Sequence, residues 1–280
     1  VAETAPPPPN HPLDVAAAEI PQEAYDLVGA YLDDAARLGE RTAELHLALA
    51  SRDDDPAFRP EDFSLLGQRG LYQSMRSQCR RTLRDLRGWL PRLPEEVQDL
   101  ARQLIEREDE LMARFQKMIS HRIDAQSIRT HGDYHLGQVL YTGRDFVIID
   151  FEGEPARPIG ERRLKRSPLR DVAGMLRSFD YAANSGSYGG NAWVREEDRE
   201  RVAQWSRLWH RWVSGAFLRA YLQAAAGAAF LPTDPADLRT LLDAYLLEKA
   251  IYEIRYEMNN RPDWVAIPVR GILDLLEQEV

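Results

Sequence analysis

"RTHGDYHLGQVLYTGRDFVIIDFEGEP", residues 129–155, holds most of the chemistry-bearing pattern of this 280-residue chain. His131 and His135 bracket Asp133, Gln138 follows, and an apolar run then closes on Asp150, with Glu152 and Glu154 beyond it. "QVLYT" and "DFVIID" are short β-branched and aromatic runs, and "TGRD" between them marks a hairpin. A hairpin at this place folds Asp150 back toward Asp133, so two carboxylates distant along the chain meet.

On both sides of this segment the apolar spacing is helical. "AYDLVGAYLDDAARLGERTAELHLALA" has apolar residues three and four apart over about seven turns. "SRDDDPAFRP" (51–60) reads as a loop, and helix resumes through "PEDFSLLGQRGLYQSMRSQCRRTLRDLRGWL" until Pro91 and Pro94 end it. A third helix is expected from Glu95 to Ser120. After an Arg- and Pro-rich loop (155–168), helix returns at "SPLRDVAGMLRSFDYAA", followed by a Gly/Ser/Asn loop at 184–191. Long helices are expected at 195–229 and 235–259, with a short one at 269–279. No internal repeat is visible. The fold class expected is mainly α (α+β), with one small embedded antiparallel β element. Residues 1–20 read as a Pro-rich linker or truncated segment. The domain over 21–280 divides into a helical part (21–125), the hairpin (126–155) and a second helical part (168–280).

Composition narrows the classes of function. Hydrophobic content of 44% and charged content of 29% are those of a globular protein. A net charge of −9 argues against nucleic acid as a partner. The single cysteine, Cys79, excludes an internal disulfide and suits a reducing, cytoplasmic setting. No apolar run is long enough for a membrane span. The N-terminus "VAETAPPPPNHPLD" has neither Met nor the regions of a signal peptide, and looks like a piece cut from a longer protein.

Two chemistries compete for the central cluster. In an extended strand, His131, Asp133 and His135 would face one side and could ligate a metal, as in a metal-dependent hydrolase. The other histidines, at 11, 46, 121 and 210, offer no HxxxH spacing to complete such a site. Phosphoryl transfer asks instead for an Asp that accepts or orients a hydroxyl proton and, at the fifth position after it, an amide ligand to Mg²⁺. It also asks for a second Asp at the end of a neighbouring strand. Asp133, Gln138 and Asp150 answer that description.

"HGDYHLGQVL" followed by "IDFEGEP" resembles the aminoglycoside-phosphotransferase-like branch of the protein-kinase-like superfamily, in which H-G-D-x-H stands in place of H-R-D. With Gln at the metal position, "IDFEGEPARP" and "SPLRDVAGMLRSFDYAA" resemble the maltokinase family most, over residues 22–270. That resemblance implies ATP-dependent phosphorylation of maltose to maltose 1-phosphate, in a family often fused to trehalose synthase. It implies Asp133 as catalytic base, and Gln138 and Asp150 as Mg²⁺ ligands with Glu152 an added carboxylate nearby. His131 would shape the loop or touch substrate, and His135 is a further substrate-binding candidate. Other outcomes are a phosphotransferase for another small hydroxyl compound, or a non-catalytic maltose-binding module of a trehalose synthase fusion.

A sugar site is expected on the helix ending "LLEKAIYEIRYEMNNRPDW". Lys249, Tyr252, Glu253, Tyr256 and Asn260 recur there at spacings of three and four, as a polar and aromatic face. The competing reading is a solvated helix face. Asp171 in "PLRDVAG" is either a first-turn carboxylate on the helix dipole or a contact to substrate or catalytic loop. "ERRLKR" (161–166) reads as a solvated basic loop, and Trp205, Trp209 and Trp212 as core. A kinase also needs a β-rich lobe with a Gly-rich loop and a strand lysine over ATP. None of Lys117, Lys165 and Lys249 sits in such a strand, and "GSYGGN" lacks the spacing. The chain therefore reads as a C-terminal lobe without its N-terminal ATP lobe, inactive by itself.

Overall fold

The computed structural model describes residues 11–155, 157–186 and 195–278. Helices α1 (Pro12–Ala17), α2 (Gln22–Val28), α3 (Tyr31–Leu49), α4 (Leu65–Trp89), α5 (Glu95–Glu106) and α6 (Glu108–Lys117) precede the β element. After it come a short α7 (Ile159–Arg162) and then α8 (Leu169–Asn184), α9 (Arg199–Ala224), α10 (Pro235–Asn260) and α11 (Ala266–Glu277). Strands are few and short. β1 (Glu61–Asp62) pairs antiparallel with β2 (Gln126–Ser127), and β3 (Val139–Tyr141) with β4 (Phe146–Ile148). The fold is mainly helical with a small embedded antiparallel hairpin, as expected. Glu61 and Asp62, expected in the second helix, instead form β1 of a second small sheet, and α4 begins only at Leu65, capped by the Ser64 hydroxyl.

The hairpin lies where its sequence puts it, with Val139 opposite Ile148 and Tyr141 opposite Phe146. Thr142 closes the turn: its N–H donates to the Asp145 carbonyl at 2.8 Å, and its hydroxyl oxygen accepts from the Asp145 N–H at 3.1 Å. Arg41 of α3 donates to the Asp145 carboxylate at 2.8 Å, which ties the turn to the helical body.

Some expected elements are divided or displaced. The first long helix breaks at Gly29, whose φ of 67° is left-handed and stops α2 before α3 begins. The third breaks at Arg107, the joint between α5 and α6. The expected linker over residues 1–20 lies outside the described residues as far as Asn10, and from His11 it is not a linker. Pro12 occupies the first turn of α1, a place suited to its missing N–H. Val15 is buried against Gly215 of α9, and buried His11 bonds Asp243 of α10 through Nε2 at 2.8 Å. The expected Gly/Ser/Asn loop lies outside the described residues from residue 187 on. Trp212 is core and Trp209 packs on Tyr31 and Phe179, whereas Trp205 is exposed. In the basic loop Lys165 is clamped rather than solvated, donating to the Pro56 carbonyl at 2.7 Å and to Glu61 at 2.6 Å.

One core runs through the body, centred on α10, which is apolar on most of its circumference and packs on α4, α8 and α11. α3 crosses α9 so closely that a side-chain carbon at Gly39 would collide with the Phe217 carbonyl. Cys79 belongs to this core, and burial pushes its thiol up to about 12, so it packs as an inert apolar group. No helix among the described residues is long and apolar enough to cross a membrane.

The contact that brings the helical body to the HGD segment is Gly174 of α8. A Cβ there would stand 2.5 Å from the Tyr134 carbonyl oxygen, well inside any real contact. Only glycine lets the helix lie flush against the loop. Gly174→Ala is therefore expected to destabilise the fold by about 1–3 kcal/mol, read as a lowered urea midpoint with unchanged m-value.

Candidate active site

The HGD segment is held by a buried carboxylate. Asp171, in the first turn of α8 and 1% exposed, accepts the His131 N–H at 2.7 Å on one oxygen and the Gly132 N–H at 2.9 Å on the other. His46 of α3, fully buried, sets Nε2 at 3.2 Å from the same carboxylate and Nδ1 at 3.0 Å from the Tyr221 hydroxyl of α9. Burial alone would raise the Asp171 pKa, but His46 and the Gly132 N–H outweigh it and hold the carboxyl below its ordinary value. Gly132, at φ 87°, makes the bend between the two N–H groups. Thr42 donates its hydroxyl proton to the Leu38 carbonyl at 2.7 Å, so the Tyr134 hydroxyl, 2.8 Å away, donates to Thr42. Farther along, the Leu136 N–H donates to Ser178 at 3.0 Å.

This frame joins Asp133 to the hairpin. His131 Nε2 donates to the Ile149 carbonyl at 2.8 Å, and the Ile149 N–H donates to the Gln138 carbonyl at 3.0 Å. Asp150 follows at once with φ 64°, the one non-glycine residue with positive φ among those described. Asp tolerates that conformation better than most residues, and it is the kind of local strain found where a side chain must be aimed.

The residues expected at a metal are Gln138, Asp150 and Glu152. Asp150 and Glu152 are exposed, and among the described residues none of the three side chains makes a hydrogen bond or ion pair. Their donors are all oxygens with open lone pairs, the set that suits Mg²⁺ shared with phosphates rather than a closed protein cage. In keeping with that, no three His, Cys, Asp or Glu side chains among the described residues converge as a metal group. The histidine triad fails on the same ground. His131 turns its ring into the loop, with Nε2 on Ile149 and Nδ1 facing the Asp133 N–H at 3.4 Å. His135 spends Nδ1 on the Gly137 N–H at 3.1 Å.

Beside Asp133 is a pocket lined by the HGD segment, the residues after β4, the start of α8 and the middle of α10. Lys249 Nζ stands 3.7 Å from the Asp133 carboxylate and 5.2 Å from the centre of the Tyr252 ring. Tyr252 donates to Glu154 at 3.0 Å, and burial followed by the Glu154 charge raises its phenol pKa. Arg157 meets Glu248 at 3.2 Å. Arg170 and Tyr245 complete the polar lining used below.

Of the substrate-binding candidates, Asp171, Lys249 and Tyr252 line this pocket, and four do not. His131 is 1% exposed and braces the loop, so it is no substrate contact. His135 is half-buried with its ring folded over Gly137, and burial lowers its pKa despite the Asp133 charge. Glu253 faces the other way and grips Arg177 of α8 at 2.8 Å, where burial raises its pKa against the arginine's pull. Tyr256 is 49% exposed, with Arg261 over its ring. Successive residues of an α-helix diverge by about 100°, so Tyr252 and Glu253 cannot share a face, and α8 takes one of them. Asp171 itself touches the loop backbone, as one of its two expected roles had it, rather than a sugar.

Sequence reading missed His46, Thr42, Tyr221, Glu154, Arg157, Arg170, Tyr245 and Glu248. For two of them a signal was present. The buried face of α3 runs Ala35, Leu38, Gly39, Thr42, Ala43, His46, so two polar residues sit on an otherwise small or apolar stripe. The pocket residues from the loop after β4 had no periodicity to mark them.

Asp171→Asn keeps the volume but turns an amide donor toward N–H groups that need an acceptor. It is expected to lower stability by about 3 kcal/mol in urea titrations. Because the folded-state pKa lies below the ordinary value of 3.8, the stabilisation from Asp171 is complete above that pH. It is lost as pH falls through the lower folded-state value, and the Asn variant should lack this acid-side component of unfolding.

Comparison with known proteins agrees with this arrangement. The chain is 26% identical over 253 residues to glucosamine kinase from Streptacidiphilus jiangxiensis, covering 88% of this chain and 50% of that protein. It is 32% identical over 151 residues to glucosamine kinase from Mycolicibacterium smegmatis, covering 53% of this chain and 34% of the relative. The chain thus spans half the length of these relatives or less. The structure of a glucosamine kinase in complex with glucosamine, ADP and inorganic phosphate superposes with a TM-score of 0.69 at 23% identity, covering 90% of this chain and 56% of that one. A second crystal form of glucosamine kinase gives 0.70 at 22% identity, over 96% and 56%. These likenesses establish a shared fold. The model of the phosphotransferase enzyme family matches residues 16–205, a span that contains the Asp171-braced loop, the hairpin and Asp150. The chain belongs to the phosphotransferase enzyme family.

Proposed function

We propose that this chain is the catalytic and acceptor-binding lobe of an ATP-dependent sugar kinase whose acceptor is maltose, giving maltose 1-phosphate. The observation that carries the reading is the position of Asp133. It shares one pocket with Lys249, Tyr252 and Glu154, and through His131 and Ile149 it is tied to Asp150 and Gln138.

The chemistry follows from those neighbours. Asp133 accepts the proton of the sugar hydroxyl as that oxygen forms its bond to the γ-phosphorus and the bond to ADP breaks. Lys249, 3.7 Å from the Asp133 carboxylate, offers donors to the sugar's hydroxyl oxygens beside it. Tyr252 offers a ring to a sugar face, while Glu154 and Glu248 offer acceptors to hydroxyls. Asp150, Gln138 and Glu152 would hold Mg²⁺, which when bound neutralises phosphate oxygens in flight. The rest of the work is orientation and exclusion of water.

Two considerations favour maltose. The strings "IDFEGEPARP" and "SPLRDVAGMLRSFDYAA" resemble the maltokinase family most closely. The carboxylates lining the pocket also have partners already: Asp133 faces Lys249, Glu248 meets Arg157 and Glu154 accepts from Tyr252. The fourth carboxylate, Asp171, is saturated by the loop N–H groups and His46. Such a lining suits a neutral acceptor better than an ammonium-bearing one. The second reading, an amino sugar such as glucosamine, rests on the activity named for the relatives. A fused trehalose synthase domain and an N-terminal ATP lobe in the parent protein belong to the same proposal.

In a coupled ADP-release assay, the full-length parent is expected to phosphorylate maltose in preference to glucosamine. A preference for glucosamine would overturn the maltose assignment and leave the sugar-kinase reading standing. Asp133→Asn in that protein should lower kcat by about 10²–10⁴-fold with sugar binding retained. The chain of residues 1–280 alone is expected to show negligible turnover, since the nucleotide would be held from one side only.

A further inference from the structure

Three cations line the pocket beside Asp133, and they are not equivalent. Lys249 stands by Asp133 at 3.7 Å, and Arg157 meets Glu248 at 3.2 Å. Arg170 makes no side-chain hydrogen bond or ion pair among the described residues. It is half-buried, so its guanidinium has given up part of its hydration without a protein partner in return. A fork of five N–H donors that none of the pocket's carboxylates engages is a place for a ligand's oxygens.

Its position is well defined. Arg170 lies in the first turn of α8, its N–H on the Ser167 carbonyl at 3.1 Å, immediately before Asp171. Asp171 cannot move without releasing the His131 and Gly132 N–H groups, so the backbone that carries Arg170 is fixed to the loop that carries Asp133. Nη1 of Arg170 lies 4.0 Å from where a side-chain carbon on Gly132 would stand. The guanidinium therefore covers the residue next to Asp133, in the space left by the missing side chain. It enters from α8, whereas Gln138 precedes β3 and Asp150 follows β4.

We propose that Arg170 is a specificity-determining residue for the acceptor, its guanidinium fork bridging two neighbouring hydroxyls of the sugar and turning the reacting hydroxyl toward Asp133; this rests on the sugar-kinase reading. A planar fork matches two adjacent oxygens, which a lysine ammonium cannot do. A fixed cation at that place also repels an acceptor that carries an ammonium group.

The test uses the full-length parent with Arg170→Gln and Arg170→Lys, assayed with maltose and with monodeoxy analogues of it. In both variants KM for maltose is expected to rise about 10- to 100-fold, with KM for ATP and the thermal midpoint unchanged. One monodeoxy analogue should lose about tenfold in kcat/KM with wild type and nothing further with Arg170→Gln. An unchanged KM for maltose in Arg170→Gln overturns the proposal, and so does a fall in kcat alone, which would place Arg170 on the phosphoryl group. Full rescue by Arg170→Lys overturns the fork and leaves only a charge. Wild type that turns over no sugar at all would instead overturn the sugar-kinase reading, and Arg170's acceptor role with it.

Discussion

The Asp171 carboxylate accepting two consecutive backbone N–H groups is the interaction from which the candidate site is built. A loop such as "HGDYH" has no ladder of its own, and buried N–H groups without acceptors would cost it its shape. Asp171 supplies both acceptors from one rigid helix turn, and His46 and Tyr221 extend the bond chain into α3 and α9. Three helices distant in sequence therefore converge on one carboxylate. Its charge survives burial because every partner it has favours the ionised form.

On the other side of Asp133 the solution is the reverse. The Asp150, Gln138 and Glu152 side chains have no hydrogen-bond or ion-pair partner among the described residues. They lie beside a hairpin of two three-residue strands whose turn is held by Thr142, by Arg41 and by the Tyr141 hydroxyl on Gly143. Oxygens left open in this way stay available to a ligand. The left-handed backbone at Asp150 follows a residue fixed at both its backbone groups, Ile149, whose carbonyl accepts from His131 and whose N–H donates to Gln138. One half of the site is rigid because its polar groups are saturated; the other keeps its oxygens open.

How far the sequence revealed this depended on whether a residue's role was local. Asp133, Gln138 and Asp150 were legible because spacing and a hairpin sufficed to relate them. The long helices were legible from apolar periodicity, except where one residue, Gly29 or Arg107, interrupted a pattern that otherwise ran through. α1 was hidden because a proline run beside it suggested a linker, while the reason for its helix, a berth against α9 and Asp243, lies more than two hundred residues away. The polar and aromatic face expected on α10 was half legible as a pocket wall. Spacing identified the helix and Lys249 with Tyr252, but which of two adjacent residues faces the pocket is decided by where α8 packs. Arg157, Arg170 and Glu248 carried no pattern at all, since their meeting is purely tertiary.

That division of α10 has a bearing on how the pocket could change over evolutionary time. The helix presents Tyr245, Glu248, Lys249 and Tyr252 to the pocket, while Glu253 and Glu257 on its other side hold Arg177 and Arg261 in ion pairs. A substitution that rotates or shifts the helix would pull Glu253 from the buried Arg177 of α8 on the far side. New specificities must therefore arise by exchanging side chains along a stationary backbone, or by rebuilding the loop after β4, which brings Glu154 and Arg157 and carries no comparable structural debt.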